Sequence, residues 1–192
     1  MARIHLYLFD MGGVVSVNND VISRVAARLD LTPEQFYERA GEDALLLMPG
    51  KLAPAEFWER ISAVTGRAVN EDLFARYFHP VLDREVAGLV EELRKHHRVV
   101  VGTNTIETHY RIHRELGHYD LFDAVYASHL MGLVKPDPRF YREVLESEHR
   151  DPSETAFIDD LPENVDSARR LGIHAILFTG AADLENEIRR LG

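Results

Sequence analysis

Five short apolar runs, separated by amphipathic patterns, constrain the fold of this chain most strongly. Valine, isoleucine and aromatic residues dominate these runs, which is typical of strands buried on both faces. The runs cover residues 3–9, 98–103, 123–128, 155–159 and 174–179. Helical patterns cover residues 84–97, 107–116, 138–149 and 162–171. This alternation predicts an α/β fold, in which a Rossmann-like parallel sheet carries helices on both faces.

The alternation is interrupted between residues 16 and 83, where no convincing strand pattern occurs. Three amphipathic helices are predicted there instead. The first has Thr32 as its N-cap, Pro33 in its first turn and Gln35 to complete a capping box. We therefore expect a small α-helical cap inserted after the first strand. The predicted division is a core of residues 1–15 and 84–192 and a cap of residues 16–83.

Composition and charge exclude several classes of function. The 192 residues suffice for one domain with a modest insertion, and the absence of cysteine excludes disulfides, thiolate zinc sites and a cysteine nucleophile. A net charge of −10 without a basic stripe argues against a nucleic-acid partner. No apolar run approaches the roughly 18 residues of a membrane span, and the N-terminus does not resemble a signal peptide. We expect no membrane partner and a cytoplasmic location.

Polar residues follow the predicted strands at the points where a ligand would bind. Ligands of parallel α/β sheets bind beyond the carboxyl ends of the strands. The residues at these ends, together with a lysine that precedes a helix, are Asp10, Thr103, Asn104, Lys135, Asp159 and Asp160. We therefore expect three carboxylates, a hydroxyl, an amide and an ammonium group to converge at one edge of the sheet.

These residue types together favour phosphoryl transfer. Three neighbouring carboxylates repel one another unless a cation lies between them, and Mg²⁺ prefers such oxygen ligands. Thr103 and Asn104 are interpreted as a helix N-terminus that offers a hydroxyl and main-chain N–H groups to an anion. Lys135 adds a positive charge for the same anion. The set is therefore suited to the transfer of a phosphoryl group to Asp10.

Four motifs in this order resemble the haloacid dehalogenase superfamily of hydrolases, and the resemblance covers the whole chain. The motifs are FDMGGVV, VVVGTNT, GLVKPDP and FIDDLPENV. Among its members, the chain is most similar to small sugar-phosphate phosphatases with a helical cap after the first strand. The resemblance implies Mg²⁺ as cofactor and a small phosphorylated metabolite, such as a sugar phosphate, as substrate.

The resemblance also implies individual roles. Asp10 would attack phosphorus and form an aspartyl-phosphate. Asp160 would bind Mg²⁺ directly, together with Asp10 and the main-chain carbonyl of Gly12, and Asp159 would lie beside the metal or behind its ligands. The remaining implied roles belong to Thr103, Asn104 and Lys135, which would hold the phosphoryl group, and to Asn164, which would orient the acidic loop. Lys135 would also restrain Asp10.

The sequence departs from the family at Gly12. Most phosphatases of the superfamily carry an aspartate there, which protonates the leaving group and later activates water. Losing a positioned general acid costs roughly 10²–10⁴-fold in rate. We therefore expect a phosphatase that prefers good leaving groups, or one that takes a proton from the cap, the substrate or water.

Two other functions remain open from the sequence. In a dehalogenase-type hydrolase, Asp10 would displace halide, although the acidic pair Asp159 and Asp160 weighs against this because carbon–halogen cleavage needs no metal. In a non-catalytic phospho-ligand-binding protein, the binding groups would remain while turnover was lost at Gly12, although the retained Asp10 weighs against this. The substrate and the oligomeric state do not follow from the sequence.

Several residues outside these motifs are interpreted as structural. His109 and His113 have the spacing of metal ligands on a helix, but no third ligand is evident, and we assign them to a solvated helix face. The apolar segment 44–50 fits cap core, a lining of the site or a dimer contact equally well. The aromatic residues expected in the cap core are Phe57, Trp58, Phe74 and Phe78.

Overall fold

A five-stranded parallel sheet forms the centre of the molecule. The computed structural model describes residues 3–191, so residues 1, 2 and 192 of the predicted core lie outside it. The strands are β1 (Leu6–Phe9), β4 (Arg98–Thr103), β5 (Ala124–Ala127), β6 (Thr155–Asp159) and β7 (His174–Leu177). Their order in the sheet is β5-β4-β1-β6-β7. Because β1 pairs in parallel with both β4 and β6, its carboxyl end lies at the middle of one sheet edge.

Helices cover both faces of this sheet. They are α5 (Arg84–Arg94), α6 (Glu107–Glu115), α7 (Ser128–Met131), α8 (Pro138–Glu148), α9 (Pro162–Arg170) and α10 (Ala181–Leu191). Successive residues of a strand face opposite sides, so Tyr7 and Phe9 contribute to one hydrophobic cluster and Leu6 and Leu8 to another. The first cluster contains residues of α5 and α10, and the second contains residues of α8 and α9. The predicted Rossmann-like α/β fold is confirmed.

Four helices, which we call the cap helices, follow the first strand. They are α1 (Ile22–Arg28), α2 (Pro33–Leu47), α3 (Pro54–Thr65) and α4 (Leu73–Tyr77). The predicted capping box of α2 is present, since Gln35 N donates to Thr32 Oγ1 (3.2 Å) and Thr32 N donates to Gln35 Oε1 (3.0 Å). The cap helices enclose a hydrophobic cluster of their own. The four aromatic residues expected in the cap core, Phe57, Trp58, Phe74 and Phe78, are all buried in that cluster.

The prediction that no strand occurs between residues 16 and 83 is wrong in detail. Strands β2 (Ser16–Val17) and β3 (Val81–Leu82), which precede and follow the cap helices in the chain, form a small antiparallel pair. A strand of two residues has no period that sequence could reveal. The main-chain N–H of Asp83 donates to the carbonyl of Val15 (2.9 Å), which extends this link between the two crossings.

The assignment of two histidines to a solvated helix face is also wrong. The ring of His109 stacks on Phe78 with centroids 3.8 Å apart, and His113 is buried against the same phenyl ring at 5.2 Å. Thr108, on the same helix, donates a hydrogen bond to Asp72 at the start of α4. Phe78 and the cap helices therefore cover a face of α6 that is polar in sequence. We call Asp72, Phe78, Thr108, His109 and His113 the cap contact.

The segment 44–50 connects the cap helices to the region of the parallel sheet at a second place. Leu47 is buried in the cap cluster, whereas Leu45 is largely exposed. The hydroxyl of Ser128, just beyond β5, donates to the carbonyl of Met48 (2.7 Å). Within residues 3–191, no helix is long and apolar enough to cross a lipid bilayer.

Candidate active site

The site lies at the carboxyl edge of the three central strands. Asp10 follows β1, Thr103 ends β4 and Asp159 ends β6. Because β4 and β6 flank β1 in the sheet, these three residues are brought side by side, as the sequence predicts. The crevice beyond this edge is where parallel α/β sheets bind ligands.

A buried lysine joins two of the carboxylates. Lys135 Nζ donates to Asp10 Oδ1 and to Asp159 Oδ2, both at 2.7 Å, and the Lys135 side chain is 1% exposed. A buried ammonium group is costly unless it is paired, and these contacts supply opposite charges on two sides. Lys135 therefore fixes the position of one Asp10 oxygen.

The pKa values in this cluster follow from burial and from these charges. Burial raises the pKa of Asp10 to about 6; Lys135 lowers it, and Asp159 raises it. Burial lowers the pKa of Lys135, but the neighbouring carboxylates outweigh that effect and raise it. A cation close to Asp10 would favour the ionised carboxylate, which is the form that a nucleophile requires.

The two aspartates at the end of β6, Asp159 and Asp160, have different surroundings. Asp159 is fully buried, and its Oδ1 accepts hydrogen bonds from Leu161 N (2.9 Å) and Asn164 Nδ2 (3.0 Å). Asn164 is itself held by Tyr141, whose hydroxyl donates to the Asn164 carbonyl (2.9 Å). Asp160 is partly exposed, and burial together with Asp159 raises its pKa. We call Asp10, Lys135, Asp159 and Asn164 the ion-pair floor.

Three carboxylates could together hold a metal ion. One oxygen each of Asp10, Asp159 and Asp160 lies within 4.8 Å of the others. Oxygen-only donor sets of this charge suit a hard divalent cation. Asp159 already accepts hydrogen bonds on both oxygens, from Lys135 and Asn164, so Asp10 and Asp160 are the better placed direct ligands. The residues therefore fit the predicted metal, while the role of the Gly12 carbonyl stays a prediction.

The loop after β4 differs from the predicted anion site in one respect. Helix α6 begins at Glu107, so Thr103 and Asn104 precede the helix and do not form its N-terminus. The Asn104 side chain pairs with the Lys135 main chain, donating to its carbonyl and accepting from its N–H at 2.8 Å each. Asn104 therefore positions the lysine loop. The reason that sequence missed this is the separation of 31 residues between the partners, which leaves no local pattern.

Ser128, near the same loop, is a residue that the sequence did not single out. Its Oγ accepts from Thr105 N (2.9 Å) and lies within hydrogen-bond distance of the carbonyls of Thr105 and Met48. A hydroxyl has one hydrogen to donate, so the two carbonyls share it. Ser128 thus connects the loop after β4 to the segment that joins cap and core.

Two adjacent glycines in the loop after Asp10 serve different purposes. Gly13 has φ of +84°, and a Cβ built there would lie 2.3 Å from Asp160 Oδ2. Gly13 is thus required if Asp160 is to reach the site. A Cβ on Gly12 would meet only Asn19, with Nδ2 at 3.5 Å, which is an ordinary contact. Glycine at position 12 is therefore not imposed by the backbone or by its neighbours among the described residues.

Comparison with known proteins identifies the family. A family model described as a haloacid dehalogenase-like hydrolase matches residues 4–172. The chain belongs to this family. The predicted resemblance is thus confirmed, and three of the four motifs lie at the strand ends described above, while the lysine motif lies between α7 and α8.

Two curated relatives of this haloacid dehalogenase-like hydrolase are phosphatases with different substrates. The chain is 31% identical to the sesquiterpene phosphatase astK of Aspergillus oryzae, with 96% of this chain and 94% of the relative covered. It is 26% identical to the D-ribitol-5-phosphate phosphatase of Bacteroides thetaiotaomicron, with 94% and 95% covered.

Solved structures agree with this family. A HAD-like hydrolase from Porphyromonas gingivalis has a TM-score of 0.83 and 27% identity, with 99% of this chain and 98% of that chain covered. The HAD family enzyme bt-2542 from Bacteroides thetaiotaomicron, solved as a complex with magnesium and inorganic phosphate, has a TM-score of 0.78 and 26% identity, with 91% and 93% covered.

Proposed function

We propose that this protein is a Mg²⁺-dependent phosphatase that hydrolyses small phosphorylated metabolites through an aspartyl-phosphate on Asp10. The observation that carries the proposal is the Lys135 ammonium, which bridges Asp10 and Asp159 at 2.7 Å beside the partly exposed Asp160. One positive side chain, a nucleophile and an open acidic site are thereby combined at one edge of the sheet. The phosphatase relatives and the magnesium and phosphate complex of bt-2542 support the same chemistry.

The metal would be held by Asp10, Asp160 and the Gly12 carbonyl, with Asp159 behind them. Bound there, Mg²⁺ supplies positive charge that offsets the negative charge of the phosphoryl oxygens and of the carboxylates. Asp159 acts through its contacts with Lys135 and Asn164, which keep the acidic loop and the lysine in place.

The chain's own residues account for the transfer. An oxygen of Asp10 forms a bond to phosphorus, while the bond from phosphorus to the ester oxygen breaks and its electron pair leaves with that oxygen. Thr103 and Lys135 bind the transferring phosphoryl group, and Asn104 holds the lysine loop. Water then hydrolyses the aspartyl-phosphate and releases phosphate. Position 12 provides no side chain to donate or accept a proton in either step.

The substrate class remains broad because the cap decides it. We propose that residues 16–83 form the cap that covers the substrate and that residues 1–15 and 84–192 form the core. The two phosphatase relatives act on a sesquiterpene and on D-ribitol 5-phosphate according to their names, so similarity alone does not choose between substrates. A small phosphorylated metabolite fits the proposal, and we infer a cytoplasmic location without nucleic-acid or membrane partners.

The test is hydrolysis of p-nitrophenyl phosphate by the wild type and by Asp10→Asn, with Mg²⁺ and with EDTA. We expect Mg²⁺-dependent turnover in the wild type and its loss in the variant. Asp20→Asn, which changes an exposed aspartate ten positions along, is the matched control and retains activity. Halide release from 2-haloacids in place of phosphate release would favour the dehalogenase, and phosphate binding without turnover would favour a phospho-ligand-binding protein.

A further inference from the structure

The space beside Gly12 is bounded by a single side chain. A Cβ built on Gly12 would find Asn19 Nδ2 at 3.5 Å and Asn19 Cγ at 3.8 Å, and no other heavy atom of the described residues, apart from those of the adjoining residues, within 4 Å. In most phosphatases of the superfamily the acid–base carboxylate projects from this position. Asn19, from the chain segment that leads into the cap helices, therefore lies beside the position from which that carboxylate would project.

Hydrogen bonds to Ser16 hold the Asn19 amide in this place. Asn19 Nδ2 donates to the carbonyl of Ser16 (2.6 Å), and Ser16 Oγ donates to Asn19 Oδ1 (3.0 Å). Ser16 is fully buried, and its carbonyl also accepts from Gly13 N (2.9 Å). The amide is thus tied to the nucleophile loop itself. An amide nitrogen carries two hydrogens, and the Ser16 carbonyl uses one of them, so one N–H remains to donate to a ligand.

We propose that Asn19 is the leaving-group-binding residue of this phosphatase and that it restricts the substrates to those with stable leaving groups. This inference rests on the proposed function. As the bond between phosphorus and the ester oxygen breaks, negative charge develops on that oxygen, and the free N–H of Asn19 donates a hydrogen bond to it. An amide stabilises this charge but does not transfer a proton, so the leaving group departs as an anion.

This assignment names a substrate class. Aryl phosphates, acyl phosphates and phosphoanhydrides release anions that need no proton, and a hydrogen bond from a neutral donor suffices for them. Simple alkyl phosphates release a strongly basic alkoxide and depend on general acid catalysis, which contributes roughly 10²–10⁴-fold. The pairing of Gly12 with Asn19 therefore selects for phosphorylated metabolites with good leaving groups and against alkyl phosphates.

The test measures kcat/KM for a series of aryl phosphates of increasing leaving-group basicity, together with one alkyl phosphate. In Asn19→Ala we expect a loss that grows along the series, from less than about threefold for p-nitrophenyl phosphate to roughly 10²-fold for the most basic phenol, the size seen when one donor to a developing oxyanion is removed. Asn18→Gly is the matched control. Asn18 is the exposed neighbour with φ of +64°, its amide donates to His79 O (2.8 Å), and glycine keeps its backbone unstrained. This control should leave the dependence on the leaving group unchanged.

A second pair of variants keeps the test informative if Asn19→Ala is poorly folded. A Cβ at position 12 makes only ordinary contact with Asn19, and we expect Gly12→Asp to raise kcat/KM for the alkyl phosphate by at least roughly tenfold. Asn19→Asp places a carboxylate on the other side of the same space and should also raise kcat/KM for the alkyl phosphate. Both variants should change p-nitrophenyl phosphate hydrolysis much less.

The outcomes separate the two proposals. An equal loss on every substrate in Asn19→Ala, with no gain on the alkyl phosphate in Gly12→Asp or Asn19→Asp, would overturn the role of Asn19 while the phosphatase activity stood. Absence of Asp10-dependent hydrolysis in the wild type, for every phosphate of the series, would overturn the proposed function itself.

Discussion

The ion-pair floor and the cap contact both join distant parts of the chain, but they do so by different interactions. In the floor, every charge that is removed from water has an opposite charge or a hydrogen-bond donor within 3.1 Å. In the cap contact, the rings of His109 and His113 pack against Phe78, the first stacked and the second edge-on, and Thr108 adds one polar link to Asp72. Removing one partner from the floor leaves a buried charge unpaired. The cap contact is weakened instead when one of its histidine rings becomes charged. The floor thus fixes the position of the proposed nucleophile, and the cap contact holds the cap helices against α6.

Removing the central charge of the floor is expected to have the largest effect. Lys135→Met leaves Asp10 and Asp159 buried without their counter-charge, which lowers the free energy of unfolding by about 3–5 kcal/mol. Activity should be lost together with stability. Denaturant unfolding and p-nitrophenyl phosphate hydrolysis measure the two effects, and exposed Lys51→Met serves as control, with a change within about 0.5 kcal/mol. A variant as stable as the wild type would contradict the pairing described here.

Gly12 and Gly13, which are adjacent in the loop after Asp10, allow a second comparison. Gly13→Ala forces a Cβ to within 2.3 Å of Asp160 Oδ2 at a positive φ, so Asp160 must move and the loop is strained by about 1–3 kcal/mol. We expect weaker Mg²⁺ binding, measured by titration of the metal, and a lower unfolding temperature. Gly12→Ala is the matched control and should leave both quantities nearly unchanged. Equal effects of the two substitutions would refute the different purposes assigned to these glycines.

The cap contact should weaken in acid. Burial lowers the pKa of His109 from 6.5 to about 4 against an opposing effect of Asp72, and lowers that of His113 to about 3. The unfolded chain therefore binds more protons than the folded chain below pH 6.5. The contribution of these histidines to the free energy of unfolding is fully present above pH 6.5 and falls as the pH drops towards 4. The contribution of His109 between pH 6.5 and pH 5 is about 1–2 kcal/mol.

Substitution of His109 isolates this contribution. His109→Phe keeps an aromatic ring against Phe78 but cannot be protonated, so its unfolding free energy should fall less than that of the wild type between pH 6.5 and pH 5. Exposed His96→Phe is the control and should follow the wild type. Parallel pH curves for the wild type and His109→Phe would show that His109 is not buried in the folded protein.

The polar link of the cap contact is expected to contribute least. Thr108→Val removes the donor to Asp72, which still accepts from Trp58 Nε1 (2.9 Å) and from two main-chain N–H groups at the start of α4. The loss should be about 1 kcal/mol, the usual net value of one buried hydrogen bond. Thr179→Val removes an exposed hydrogen bond from Thr179 to Asp183 and should lower the free energy of unfolding by less. Equal losses in the two variants, measured by thermal unfolding, would count against a buried link.

The two carboxylates of the floor could be predicted from the sequence because the topology of the sheet brings them together. Parallel strands end at one edge, so recognising the strands predicts that Asp10 and Asp159 of the floor lie close together, with Thr103 beside them. Lys135 and Asn164 lie outside the strands, and their place in the floor does not follow from the topology. Which partner each side chain chooses was not predictable: Asn104 pairs with the Lys135 main chain across 31 residues. Such pairings depend on the packed loops and leave no pattern in the sequence.

The cap contact was misread for a related reason. His109 and His113 lie on a helix that is polar in sequence, and nothing near them indicates that Phe78 covers them. A helical pattern reveals which residues share a face but not which element packs on it. The two-residue strands β2 and β3 escaped because they are shorter than any detectable period.

Trapping the phosphorylated enzyme tests the central claim most directly. With no side chain at position 12 to activate water, breakdown of the aspartyl-phosphate should be slower than its formation from p-nitrophenyl phosphate. Acid quenching during steady-state turnover, followed by mass spectrometry, should therefore find one phosphoryl group on the peptide that contains Asp10, and none in Asp10→Asn. Continuing phosphate release with Asp10 unmodified throughout would contradict the account.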